Sequence, residues 1–330
     1  MFTRQGETGM SEQTTGQFLD RRTLLTATAA AGASLGVNAL AAQGRSGAGA
    51  QEPRVLFCLN MSTIRGQKLS VPEQVDVAGK AGYDAIEPWL GELHKYVETG
   101  GSLADLKKRI ADHGMKVASA IGFAEWIVDD DARRAAGLEV AKKDMGVVAA
   151  IGGKHIAAPP AGATRQTDLN LLKATERYRA LLELGDREGV IPELEIWGHS
   201  TTLGKLSEAL LVAAECKHPQ ACLLLDVFHL YKGGSDFSGL RLVNGNVLPC
   251  LHFNDYPASP PRDAIKDADR IFPGDGVAPL TQMLRDLLAA GFHGALSLEI
   301  FNATYWKEDP YGVARIGLQK MKETVAKAVS

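Results

Sequence analysis

Four short apolar segments decide the fold: residues 192–197 (PELEIW), 223–229 (LLLDVFH), 250–255 (CLHFND) and 296–301 (LSLEIF). Each one is typical of a buried strand that ends in an acidic or imidazole side chain, and those side chains are Glu195, Asp226, His252 and Glu299. A parallel barrel carries such residues where its strands end at the active-site face, because strand ends hold side chains more rigidly than loops do. Three carboxylates and one imidazole gathered there predict a site for a single hard divalent ion.

Strand-like and helix-like patterns alternate from residue 54 onward. Eight candidate strands occupy residues 54–60, 84–88, 116–121, 154–159, 192–197, 221–226, 247–254 and 295–300. Helical patterns occupy residues 72–81, 103–113, 131–151, 168–188, 203–216, 280–290 and 311–329, whereas residues 235–246 leave room for a short helix at most. Alternation of this kind predicts an α/β fold, a single-domain (β/α)8 TIM barrel over residues 54–330. A doubly wound nucleotide-binding sheet is disfavoured, because residues 57–67 (FCLNMSTIRGQ) contain no GxGxxG turn.

The composition is consistent with a single barrel and limits the classes of molecule that the chain is expected to bind. The chain has 330 residues, of which 45% are apolar, and one barrel commonly needs about 250 residues. A net charge of −3 and the lack of a Lys/Arg-rich stripe argue against nucleic acid as the main partner. The four cysteines form no CxxC motif and are predicted to be buried thiols, with a Cys216–Cys222 disulfide left open as an alternative.

The N-terminus has the pattern of an export signal. Arg21 and Arg22 stand directly before an Ala/Leu/Gly-rich stretch that runs to Ala42. This predicts a twin-arginine-type signal peptide over residues 1–42, a linker over 43–53, and a periplasmic or extracytoplasmic location. The stretch is too weakly hydrophobic to predict a stable membrane anchor. The alternative is a disordered tail with a chance pair of arginines.

The order Glu, Asp with a histidine three residues on, His, Glu resembles the xylose isomerase-like TIM-barrel family, which includes sugar phosphate isomerases, ketose 3-epimerases and hydroxypyruvate isomerases. The most family-specific stretches are residues 223–234 (LLLDVFHLYKGG), 252–257 (HFNDYP) and 270–276 (RIFPGDG). The resemblance implies that Glu195, Asp226, His252 and Glu299 hold one divalent ion. The oxygen-rich ligand set favours Mn²⁺, with Mg²⁺ or Co²⁺ as alternatives. It also implies that Glu195 and Glu299 transfer protons on opposite faces of the substrate through an enediolate.

Further residues near the strand ends are candidates for substrate binding. His229 matches a family position that contacts a substrate oxygen, although it could instead cap a turn. Glu87 and Trp197 lie at the ends of the second and fifth strands, where aromatic groups such as Trp197 and Trp89 would wall a sugar pocket. Arg270 could bind a phosphate or carboxylate, or pair with Asp269 or Asp275.

Two departures from the family pattern bear on the substrate. Ketose 3-epimerases usually carry a glutamate where this chain has Thr201 and an arginine where it has Ala258. A metal-dependent lyase or hydrolase that cleaves a 3-keto-glycoside by enolisation and β-elimination therefore stays open, as does a non-catalytic sugar-binding barrel. The related apurinic endonucleases need extra histidines, and residues 256–275 contain none. The expected partner is a small sugar or glycoside, and related barrels often form homodimers or homotetramers.

Overall fold

Eight parallel strands curl into one sheet in the computed structural model, which describes residues 55–330. The strands are β1 (Leu56–Asn60), β2 (Ala85–Glu87), β3 (Lys116–Val117), β4 (His155–Ala158), β5 (Ile191–Glu195), β6 (Leu223–Asp226), β7 (Cys250–His252) and β8 (Ala295–Leu298). Their order is β3-β2-β1-β8-β7-β6-β5-β4, so the first and last strands pair in the middle of the sheet. On the remaining side, the backbone N–H of Ala157 in β4 donates to the carbonyl of Ala120 just past β3, at 2.9 Å. The predicted TIM barrel is confirmed.

Helices follow the strands as the alternating pattern predicts. Within residues 55–330 they are α1 (Val71–Ala81), α2 (Leu90–Glu98), α3 (Leu103–Asp112), α4 (Asp131–Ala150), α5 (Leu171–Glu188), α6 (Leu206–Glu215), α7 (Val227–Lys232), α8 (Leu280–Ala289) and α9 (Pro310–Val329). Sequence analysis missed α2 and α7, which are short and begin within three residues of a strand end. Residues 235–246 form only two short 3-10 turns, in line with the prediction for that segment.

The inside of the barrel is built in two layers. Successive side chains of a strand point to opposite faces, so residues two apart share the interior. The lower layer is largely apolar and includes Cys58, Ala85, Leu224, Cys250 and Ala295, with the buried carboxyl group of Glu193 at the same level. Two residues further along the same strands, the upper layer is polar and buried, and it consists of Asn60, Glu87, Asp226, His252 and Ser297. Each apolar strand therefore delivers one polar side chain to the same end of the barrel.

Several helices end at a glycine, and the cysteines are buried as the sequence predicts. Glycines with positive φ follow α3, α4, α5 and α8, where a residue without a Cβ ends a helix without strain: Gly114, Gly152, Gly189 and Gly291. All four cysteines are buried free thiols, so the alternative Cys216–Cys222 disulfide is not formed.

The predicted signal peptide (1–42) and linker (43–53) lie outside the described residues. Between residues 55 and 330, no helix combines the length and the apolar character that crossing a membrane requires.

Candidate active site

The four residues predicted to bind a metal converge at one end of the barrel. Glu195, Asp226 and His252 are the last residues of β5, β6 and β7, and Glu299 follows the end of β8 directly. The Nδ1 atom of His252 lies 3.1 Å from a carboxylate oxygen of Glu299, 3.4 Å from Asp226 and 3.8 Å from Glu195. Ligands held about 2.1 Å from one ion stand roughly 3 Å or slightly more from each other, so these separations suit a shared cation. Asp226, His252 and Glu299 form the tightest group, with ligand atoms within 4.8 Å of one another.

The imidazole of His252 is oriented by a carboxylate behind it. Its Nε2 atom lies 3.2 Å from Glu87, which is fully buried and also accepts hydrogen bonds from Asn60 at 2.8 Å and Ser297 at 2.6 Å. When the ring is neutral with its proton on Nε2, the lone pair of Nδ1 faces the three carboxylates, and Nδ1 has no hydrogen-bond partner among the described residues. A metal-binding histidine commonly uses one nitrogen for the ion and the other for a carboxylate in this way. Glu87 thus lies behind the imidazole, and its contacts support holding His252 rather than the substrate contact expected from the sequence.

The charge balance of the site also suits a cation. Burial disfavours the charged imidazolium of His252, but Glu299 and Glu87 outweigh that effect and hold its pKa well above its ordinary value. Burial raises the pKa of Glu195 well above the usual range, and the nearby charges of Glu299 and Asp226 raise it further. Both shifts mean that the clustered carboxylates attract positive charge, which a divalent ion would supply. The residues present therefore fit the metal that the sequence predicts.

Arg270 supplies a buried positive charge beside these carboxylates. Its Nη1 atom donates to Asp226 at 2.6 Å and to Glu299 at 2.8 Å, while Nη2 donates to Asp267 at 2.6 Å. Burial of Asp226 opposes its ionisation, yet the guanidinium of Arg270 brings its pKa well below the ordinary value. Arg270 thus braces two of the predicted metal ligands.

The pairing partners suggested for Arg270 by the sequence are wrong. Asp269 accepts the backbone N–H of Lys266, and Asp275 pairs with Lys320. Asp269 and Asp275 do not pair with Arg270, because the loop after β7 turns back and carries Arg270 toward the barrel.

Asp255 holds that returning loop. Its backbone exchanges hydrogen bonds with Ile271 at 3.0 and 2.9 Å, which places the adjacent Arg270 over the strand ends. Its carboxylate accepts four backbone N–H groups, from Tyr256, Gly274, Gly276 and Ala278. These contacts are those of a turn-forming residue, and they hold the carboxylate away from the imidazole of His252.

His229 projects into the site from α7. The carboxylate of Asp226 accepts its backbone N–H at 2.9 Å and caps the helix, and Nε2 of the ring lies 3.2 Å from Nη2 of Arg270. Burial lowers the pKa of His229 to about 3, so the ring is neutral. Because Arg270 can only donate, Nε2 is the acceptor and Nδ1 carries the proton. Among the described residues, that buried donor has no partner.

Two glycines let the loop after β5 lie close to α7. A Cβ on Gly198 would stand 2.4 Å from the carbonyl oxygen of His229, and one on Gly233 would stand 1.9 Å from that of Gly204. The close approach brings the ring of His199 within 5.8 Å of His229. Both imidazoles therefore line the same cavity.

A cavity of about 430 Å³ opens above the carboxylates of Glu195 and Glu299. Trp197 lines it, together with Arg270 and His229, as expected of residues that contact substrate. Trp89 also lines it, and sequence analysis missed three further aromatic walls: Phe123, Phe301 and Trp306. The first two could have been found as aromatic residues within two positions of a predicted strand end.

An eight-stranded parallel barrel with carboxylates and an imidazole gathered under a cavity at its strand ends defines a TIM-barrel protein with an enzyme-type site. The sequence profile of the xylose isomerase-like TIM barrel family matches residues 75–324, and the chain belongs to that family.

Relatives of known activity include isomerases and a dehydratase. The chain is 25% identical to the inosose isomerase of Bacillus velezensis over 278 residues, which cover 83% of this chain and 97% of the relative. It is 25% identical to the 3-dehydroshikimate dehydratase of Pseudomonas putida over 251 residues, covering 71% of this chain and 36% of the relative. A solved structure of the IOLI protein with a bound zinc atom superposes with a TM-score of 0.73 at 23% identity, covering 84% of this chain and 98% of that one.

Proposed function

We propose that this protein is a divalent-metal-dependent sugar isomerase or epimerase. It removes a proton from the carbon beside the carbonyl of a ketose or related polyhydroxy ketone and returns a proton to the substrate. The observation that carries the proposal is the position of Glu195 and Glu299. Both line the cavity, and both approach Nδ1 of His252, from β5 and from β8. Two carboxylates arranged around one ligand position can take a proton from a substrate carbon and return one to it.

The chain's own residues divide the work in this proposal. Glu195, Asp226, His252 and Glu299 would hold the ion, with Mn²⁺ as first choice and Mg²⁺ or Co²⁺ as alternatives. When bound, such an ion polarises a ketone and its neighbouring hydroxyl and stabilises the enediolate. Glu195 and Glu299 accept and return the proton at the substrate carbon.

The groups around the carboxylates orient the substrate and the site. The Nδ1–H group of His229 donates to a substrate oxygen, which would satisfy its unpartnered proton. Arg270 keeps Asp226 and Glu299 in place, and Glu87 keeps the lone pair of His252 facing the cavity.

A lyase is the second candidate, and two observations favour it. A dehydratase is among the relatives, and the cavity has several aromatic walls. In this reaction a carboxylate removes the proton beside the ketone of a 3-keto-glycoside, the C–H electrons form a C=C bond, and the C–O bond to the group β to the ketone breaks. The leaving oxygen takes up a proton, so that an enone and a free hydroxyl compound result.

Metal analysis followed by turnover in D₂O tests both candidates. Near-stoichiometric Mn, Mg or Co in protein purified without chelator, with deuterium entering the inverted or rearranged carbon of a ketose, supports the isomerase or epimerase. Release of a hydroxyl compound from a keto-glycoside supports the lyase. Sugar binding with no turnover of any ketose or keto-glycoside would instead identify a non-catalytic binding barrel and refute the proposal.

A further inference from the structure

The cavity has a polar side and an aromatic side, which meet where Trp197 stacks on His199 and where Phe301 lies against Arg270. His199, His229 and Arg270 come after β5, β6 and β7, which are neighbours in the sheet. Trp89 and Phe301 follow β2 and β8, which flank β1 on the other side. A ligand that spans the cavity therefore meets hydrogen-bonding groups at one end and ring surfaces at the other.

We define the aromatic wall as Trp89, Phe123, Trp197 and Phe301. Its rings are in contact: the centroids of Trp89 and Phe123 are 5.4 Å apart, those of Trp89 and Phe301 5.9 Å, and those of Phe123 and Trp197 5.9 Å. The indole N–H of Trp89 is already bonded to Asn60 at 3.0 Å. Trp89 and the two phenylalanines thus present carbon surface without a free donor or acceptor.

Phe123 marks the outer rim of this wall. It is 46% exposed, so its ring surface is open to a ligand in the cavity that it lines. The cavity volume, about 430 Å³, lies within the range of about 300–1,000 Å³ typical of small-molecule sites and leaves room beyond the carboxylates.

We propose that the aromatic wall is a subsite for a planar aromatic ring attached to the sugar, so that the substrate class is an aryl glycoside in its keto form. This inference rests on the proposed function for the sugar end of the ligand. The C–H face of one sugar ring can stack on one of these aromatic residues, but the four contiguous rings of the wall offer more aromatic surface than one sugar face covers. An aromatic aglycone instead stacks on those rings, while the polyhydroxy ketone remains over Glu195 and Glu299.

Calorimetric binding of phenyl β-D-glucopyranoside and methyl β-D-glucopyranoside to the full chain with excess Mn²⁺ tests the inference without requiring turnover. We expect the phenyl compound to bind about tenfold more tightly, as aromatic stacking together with buried ring area implies. Phe123→Ala should remove most of that preference by weakening the phenyl compound far more than the methyl compound, whereas Phe123→Tyr should retain it. Tyr311→Ala, which truncates an aromatic residue of similar exposure outside the cavity lining, is the matched control.

Several results would overturn the aryl subsite. They are equal affinities for the two glycosides, no binding of either, or a phenyl preference that survives Phe123→Ala. A change in oligomeric state in Phe123→Ala with the preference intact would assign the wall to a subunit contact. A failure of the proposed function is separate, since it appears as absent turnover and deuterium exchange while the phenyl preference persists.

Discussion

Replacing Glu87 with glutamine tests how the barrel prepares His252 to bind a metal. The carboxylate of Glu87 takes three hydrogen bonds, from Asn60, Ser297 and Nε2 of His252. Asn60 and Ser297 converge on the same oxygen, so a glutamine with its carbonyl there keeps both contacts and turns its NH₂ group toward the imidazole. That group can only donate, which moves the imidazole proton from Nε2 to Nδ1 and removes the lone pair that faces the carboxylates.

We expect Glu87→Gln to weaken metal binding about 10- to 100-fold, which corresponds to about 1.4–2.7 kcal/mol. Packing is preserved, so the thermal midpoint measured in chelator should change little. Competition against a chromophoric chelator gives the affinity, and elemental analysis gives the stoichiometry. The matched control is Glu193→Gln, since Glu193 is equally buried but its side chain bonds to Ser119 and not to the imidazole. Parent-like metal affinity in Glu87→Gln would refute the orienting role, and an equal loss in both variants would reduce it to a general effect of replacing a buried carboxyl group.

Three further outcomes follow from the same contacts. Asp226→Ala should lose the metal and lower the free energy of unfolding by about 3–5 kcal/mol, because it removes a buried partner of Arg270. Parent-like metal content by elemental analysis, or a parent-like free energy of unfolding in urea, would contradict this. Chelation should lower the Tm of the parent, since an ion at 100 times its Kd stabilises by about 2.7 kcal/mol, and an unchanged Tm would argue against a bound ion. Gly233→Ala should destabilise by about 1–3 kcal/mol through its clash with Gly204, whereas Gly146→Ala, in an open part of α4, should be neutral or stabilise by up to about 1 kcal/mol; equal effects in denaturant unfolding would rule out the proposed close packing.

Much of the site could be predicted because it lies on strands. The segments that end in Glu195, Asp226, His252 and Glu299 alternate with helices, and a parallel barrel collects its strand ends at one face. Their convergence therefore required no knowledge of distant contacts. The contacts of loop residues were not predicted correctly. Sequence proximity suggested that Arg270 pairs with Asp269 or Asp275, yet it contacts Asp226 and Glu299 because the loop after β7 folds back onto the barrel.

Local pattern by itself determined the barrel, the buried cysteines and the four converging side chains, since hydrophobic periodicity and strand-end chemistry are properties of short segments. Tertiary structure alone decided that Glu87 orients the imidazole of His252, that Arg270 braces two carboxylates, and that separate loops assemble an aromatic wall beside a polar one. Those features depend on contacts between residues far apart in sequence, such as Glu87 and His252, which are 165 positions apart. Such contacts are set by strand register and by the return of loops onto the barrel rather than by neighbours in sequence.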